Sequence, residues 1–185
     1  VETMSKTAYQ ALQGETSNPR AYVLFTLLLY TGLKKGECVN LGPNHIHPDA
    51  PDGPIVFVRY ASPQNRYKER KISLPQSWIE SYRLYQRKYV LTDELFPWSA
   101  RMLEYILEDL GNDSGLNKRV SFSMCRWTCA LMDWRESVPH NKIRQKLGIS
   151  EVQWREVSRK LMRLSKKIDK EEQPVYRIFP FGREN

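Results

Sequence analysis

No hydrophobic stretch in this chain announces a membrane span. The apolar run Tyr22–Tyr30 has nine residues, about half of what a helix crossing a bilayer needs. No charged n-region with a cleavage pattern precedes it, so no targeting signal is visible. Cysteine is scarce. Cys38, Cys125 and Cys129 form an odd set without zinc-ligand spacing, which reads as reduced thiols in an intracellular protein. Histidine is equally scarce: His45, His47 and His140 are too dispersed for a catalytic or metal cluster, although His45 and His47 could face one way on an extended segment and hold a metal. There is no P-loop, no dinucleotide fingerprint, no HExxH and no GxSxG. A disulfide scaffold, a nucleotide-phosphate enzyme and the common hydrolases are thereby set aside, and the reading calls for no metal and no cofactor.

What is present is an ordinary soluble composition, with 41% hydrophobic and 27% charged residues in a chain of 185. That length suits one compact domain able to bury a sizeable core. The first residue is not methionine, which suggests processing or a domain cut from a longer chain. The formal charge of +8 is unevenly spread: residues 117–170 hold fourteen Lys or Arg against five Asp or Glu. A one-sided field focuses attraction on one face and favours a polyanionic partner. Charge alone does not separate DNA from RNA, an acidic protein or a membrane surface.

The sequence predicts a polar lead-in with a turn at Gly14, then a helix from Pro19 to Thr31. Pro19 presets the first helical φ, and Gly32 stops the helix by taking positive φ. Lys34, Lys35 and Glu37 open a second helical segment, in which Glu37 is placed to brace Lys34 as an i,i+3 pair. A loop at residues 42–54 leads to a strand at Ile55–Tyr60, turn signals at Ser62–Asn65 and an antiparallel partner at Lys71–Leu74. Arg66, Lys68, Arg70 and Lys71, with Tyr60 and Tyr67, make this hairpin either a probe for a nucleic-acid groove or a charged edge that resists aggregation.

A helix runs from Pro75 to about Tyr89, its Trp78, Tyr82 and Tyr85 at core spacing. Another covers Ala100–Leu110, ended by Gly111 and a polar loop through Asn117. Pro139 permits a new start for a short helix that ends at Gly148. Ser150 with Gln153 then forms a capping box for a long basic helix to about Ile168. Trp154, Val157, Leu161, Leu164 and Ile168 form its seam, and Arg155, Arg159, Lys160 and Arg163 lie on its other faces. Val175–Phe181 is a short apolar tail suited to packing or to docking on a neighbouring subunit.

The stretch Val120–Met132, VSFSMCRWTCALM, is the most informative. Ser121 and Ser123 lead into an apolar helical run holding Arg126. An arginine near a helix start can point at an anion while its apolar neighbours anchor the backbone. From spacing alone, a solvated surface arginine is the more ordinary reading.

These stretches together resemble the tyrosine recombinases, the phage-integrase type. LLLYTGLKKGECVNL, residues 27–41, is similar to their first signature: a hydrophobic helix, Thr-Gly-x-Arg, two residues, Glu and an apolar stretch. SFSMCRWTCALM, residues 121–132, is similar to their second, His-x-x-Arg. YKERKISLP and KLGISEVQW resemble the family's β-hairpin and its Leu-Gly-His segment before the nucleophile helix. Order and spacing agree across about residues 5–170. The resemblance implies a mainly α fold with a small antiparallel β-hairpin or sheet (α+β), one domain over 1–185 with a tail from 171. The family's N-terminal DNA-clamping domain has no counterpart in these residues.

Carried over position by position, the resemblance implies Arg126 and Trp127 as retained phosphate-site residues. The first arginine is Lys34, the strand-turn lysine falls on Asn65 or Arg66, the paired histidines are Ser123 and Ile149, and the nucleophile falls on Ser158. Lysine keeps the charge but loses the planar bidentate fork. Serine and isoleucine remove imidazoles that move protons, and an unactivated serine is a poor nucleophile. The expected function is therefore duplex-DNA binding without cleavage. Contacts would come from Lys34, Arg66, Lys68, Arg70, Arg126, Trp127, Lys142, Arg144, Lys146, Arg155, Arg159, Lys160 and Arg163. The alternatives are an active recombinase using a displaced Tyr176, an RNA-binding or RNA-processing domain, and an assembly module pairing with itself or with a recombinase-like partner through its tail.

Overall fold

The structure, a computed structural model, describes residues 18–113 and 119–171. The Gly14 turn, part of the polar loop to Asn117, the tail Val175–Phe181 and Tyr176 lie outside the described residues. Among those described are seven α-helices and a three-stranded antiparallel sheet, and no helix is long and apolar enough to cross a membrane.

Helix α1 (Pro19–Thr31) has the bounds its sequence predicts. Asn18 caps it by accepting from the Arg20 N–H at 3.1 Å, and Gly32 closes it at φ 61° with its N–H on the Leu28 carbonyl. Val23, Leu24, Phe25, Leu27 and Leu28 are wholly buried. A helix apolar on nearly every face must sit at the centre, and α1 packs between α3 (Gln76–Lys88) and α5 (Phe122–Arg135).

After α2 (Lys35–Val39), strand β1 (Ile46–His47) pairs with β2 (Ile55–Val58), which pairs with β3 (Arg70–Ser73). Strand β1 lies where the sequence predicts only a loop, because two residues carry no readable period. Strand β2 ends at Val58 rather than Tyr60, and the expected turn is the start of a 3₁₀ helix, Pro63–Lys68. Val56, Val58 and Ile72 face the core in the alternation that strands impose.

In α3, Trp78, Tyr82 and Tyr85 are core residues; the Tyr85 hydroxyl donates to the Leu95 carbonyl at 2.7 Å. Helix α4 (Ala100–Asp113) runs through Gly111, which the sequence marks as its stop. Glycine inside a helix costs about 1 kcal/mol relative to alanine, and burial of Leu103, Ile106, Leu107 and Leu110 outweighs it. Ser121 caps α5, α6 (His140–Leu147) ends at Gly148 with φ 58°, and α7 (Glu151–Glu171) starts on the Ser150–Gln153 capping box in both directions.

The hydrophobic interior falls into two clusters. The larger spans α1 to the start of α5. The smaller joins Ala130 and Leu131 of α5, Ile143 and Leu147 of α6, and Val157 and Leu161 of α7. Arginines occupy the seam between them.

Candidate functional site

Glu37, buried in α2, organises one side of this seam. Its Oε2 accepts from the Lys34 N–H at 2.9 Å, and the Tyr60 hydroxyl donates to Oε1. Arg70 on β3 approaches through both terminal nitrogens, Nη1 to Oε1 at 2.9 Å and Nη2 to Oε2 at 3.0 Å. Burial alone would raise the Glu37 pKa, but hydrogen bonds from Arg70 and its charge, then Lys34 N–H and Tyr60, hold it down at about 2. The same burial and the bond to Glu37 push the Tyr60 phenol up to about 12. The sequence pairs Glu37 with the Lys34 side chain; the structure pairs it with the Lys34 backbone and the Arg70 guanidinium.

Arg126 organises the other side. It lies in the second turn of α5 and is only 8% exposed, so it is not a solvated surface residue. Its Nη1 donates to the Gly32 carbonyl at the end of α1, and its Nη2 to the Leu147 carbonyl at the end of α6 at 2.7 Å. Among the described residues no carboxylate forms an ion pair with it. Burial lowers its pKa, partly offset by the field of Glu37. Lys34, although exposed, is likewise lowered, by partial desolvation first and then by repulsion from Arg126. Lys34 and Arg126 thus lie near enough to repel each other, and the carboxylate whose field reaches both is Glu37.

Lys34, Ser123, Arg126 and Trp127 line one cavity of about 600 Å³, with Lys35, Arg101, Arg119 and a lone carboxylate, Glu104. On the other side of Lys34 lies a groove of about 1200 Å³, lined by Lys68, Arg70, Lys142, Arg144, Lys146 and Ile149 together with Glu69, Asp133 and Glu151. The structure therefore brings Lys34, Ser123, Arg126 and Trp127 together, and sets Ile149 beyond Lys34. No histidine lines either cavity, and Ser158 lines neither; its hydroxyl donates to the Arg155 carbonyl at 3.3 Å.

The other candidates divide by environment. Asn65 accepts from Lys68 Nζ at 2.8 Å, and that ammonium also faces the rings of Tyr60 and Tyr67. Arg66, Lys142, Arg155, Arg159, Lys160 and Arg163 are exposed. Lys160 pairs with Glu156 and Arg144 with Glu151, whereas Lys146 is half-buried on Asp133 at 2.9 Å. Arg101 and Arg119 join the site without any sequence motif: their place beside Lys34 and Arg126 exists only after folding.

No protein-family model and no curated protein sequence matches this chain. Solved structures do. XerA recombinase superposes at a TM-score of 0.73 and 22% identity, covering 94% of this chain and 64% of that one. XerH site-specific recombinase bound to a palindromic difH substrate gives 0.72 at 16%, covering 92% and 52%. A lambda integrase dimer bound to a COC' core site gives 0.60 at 16%, covering 84% and 58%. This chain spans about half to two thirds of the length of these proteins. Its fold is that of the tyrosine recombinase catalytic domain, mainly α with a small antiparallel sheet.

Proposed function

We propose that this domain grips duplex DNA by its sugar-phosphate backbone and does not cut it. The observation that carries the reading is the shared cavity of Lys34 and Arg126: two cations from separate elements, with no carboxylate among the described residues paired to either. A phosphate is the anion such a pair suits, because it accepts from several donors at once. The exposed basic residues of α6 and α7 spread the same attraction over more phosphates. The solved structures of the same fold, XerH on difH DNA and a lambda integrase dimer on its core site, make duplex DNA the leading polyanion and a second copy or a recombinase-like chain a reasonable companion. Non-cleavage rests on the side chains. Neither cavity offers a histidine, and the serine at the nucleophile position is bonded to a backbone carbonyl away from the phosphate pocket.

The test combines binding and cleavage. Duplex affinity, read by fluorescence anisotropy, is expected to fall about a hundredfold between ~50 and ~200 mM salt. A nicked suicide duplex is expected to leave no covalent protein–DNA adduct. Affinity indifferent to salt, or a preference for structured RNA in competition, defeats the DNA reading. An adduct lost on Tyr176→Phe establishes the active alternative.

A further inference from the structure

The geometry points to Arg70 as a positioning residue, a buried cation that sets both Lys34 and Arg126 for anion capture without binding the anion itself; this rests on the phosphate-gripping reading above. The sequence counts Arg70 among the exposed contacts of a basic hairpin. The structure buries it, with 9% of its side chain exposed, and engages its nitrogens internally. Nε donates to the Lys146 carbonyl at 2.7 Å, Nη1 to Glu37 at 2.9 Å and to the Lys68 carbonyl at 3.2 Å, and Nη2 to Glu37 at 3.0 Å.

Two chains of contact leave this guanidinium. In one, Glu37, clamped by Arg70 and Tyr60, uses its Oε2 to hold the Lys34 N–H, which fixes the backbone where the Lys34 side chain departs. In the other, Arg70 fixes the Lys146 carbonyl, and the next carbonyl, Leu147, receives Arg126 Nη2 at 2.7 Å. Each chain ends on one cation of the pocket. Gly148 makes room for the arrangement, since a Cβ there would stand 2.6 Å from Arg70 Nη1. Only a planar fork spans a carboxylate on one edge and a carbonyl on another; an ammonium is a point charge and cannot.

The experiment compares Arg70→Lys and Glu37→Gln with the parent chain in duplex-DNA anisotropy across salt, with thermal melts confirming that each is folded at the assay temperature. Both variants are expected to bind roughly tenfold more weakly, as loss of supporting contacts behind a binding group does elsewhere. Both are expected to lower the salt slope. The Glu37→Gln result separates the ideas most sharply, because removing a negative charge beside a DNA-binding face would otherwise strengthen binding. Arg70→Lys at parental affinity would mean that Arg70 serves as a direct charge, and Glu37→Gln at parental or better affinity would break the positioning chain; either overturns the proposal. Should those variants fail to fold, Tyr60→Phe removes one bond to Glu37 and no charge. A loss of about threefold is then expected, and unchanged affinity overturns the idea. A parent chain that binds with no salt dependence, or Lys34→Ala and Arg126→Ala variants that bind like the parent, would instead remove the phosphate-gripping reading itself.

Discussion

Arg70 and Arg126 donate to consecutive carbonyls at the end of α6, Lys146 and Leu147, each at 2.7 Å. The last carbonyls of a helix lack partners within it and carry the negative end of its dipole. Two buried arginines therefore fasten α6 to α1, α2 and the sheet. Arg126→Lys keeps a cation but cannot reach the Gly32 and Leu147 carbonyls together. One buried carbonyl is left unpaired, and stability measured by urea denaturation is expected to fall by about 1–3 kcal/mol. An unchanged urea midpoint would mean that these bonds do not hold the seam.

Gly148 and Gly32 both take positive φ, 58° and 61°, but their surroundings differ. A side chain at either position incurs about 1–2 kcal/mol of left-handed strain. At Gly148 the new Cβ would also meet Arg70 Nη1 at 2.6 Å, a guanidinium pinned on three sides; at Gly32 it meets the buried Leu147 Cδ2 less closely, at 3.0 Å, and Cys129 Sγ at 3.4 Å. Gly148→Ala is therefore expected to destabilise more than Gly32→Ala, and to weaken duplex binding as well. Equal losses in denaturation would show that Arg70 yields easily.

The contrast between these glycines and Arg70 marks what the sequence reveals. Pro19, Gly32, Gly148 and the Ser150–Gln153 box are local devices whose chemistry acts within a few residues, so α1 and the ends of α6 and α7 are legible before folding. Lys34, Ser123, Arg126 and Trp127 are legible through motif spacing, and they do share a cavity. Arg70 is misplaced because RYKERK reads as a solvated basic run, while its partner Glu37 lies 33 residues away and its carbonyl acceptor, Lys146, 76. Strand β1 is lost for the opposite reason: it is too short to have a pattern, and its pairing with β2 alone defines it.

Glu37 makes stability depend on acidity in a defined direction. Its carboxyl is depressed from the ordinary 4.5 to about 2, because Arg70 and its other donors outweigh burial. A depressed carboxylate adds stability that is fully present above its unfolded pKa and is lost as pH falls toward the folded value. The stability difference between the parent chain and Glu37→Gln is expected to reach at most about 3 kcal/mol near neutrality and to shrink between pH ~5 and ~2. Urea titrations across that range measure it, and a flat difference would contradict the assigned hydrogen bonds.

Lys34 is expected to give the proposed duplex binding an alkaline limit. Partial desolvation and the nearby Arg126 lower its pKa, so it loses its proton before ordinary lysines do. A phosphate between the two cations favours the charged form and raises that pKa on binding. Linkage then requires affinity to weaken as pH rises through the free-state value, with the limb absent in Lys34→Gln and shifted to higher pH in Lys34→Arg. Anisotropy at fixed ionic strength reads this; a parental profile as flat as that of Lys34→Gln would place the phosphate elsewhere.

Leu161 tests the independence of the smaller hydrophobic cluster. It is wholly buried on α7, which packs against α5 and α6, and its neighbours belong to the cluster on the far side of the arginine seam. Leu161→Ala removes three carbons from a close-packed site and is expected to cost about 2–5 kcal/mol in the local opening of α7. Leu147 and Cys129 also stand against Gly32 beside the arginine bonds, so the loss is expected to be largest, rather than exclusive, in α6, α7 and the end of α5, where the cluster of Leu161 lies. Native-state hydrogen exchange is then expected to show the greatest acceleration there, with α1 amides changing less. Equal acceleration in α1 would mean that the two clusters unfold as one, and that the contacts at the seam transmit stability across it in full.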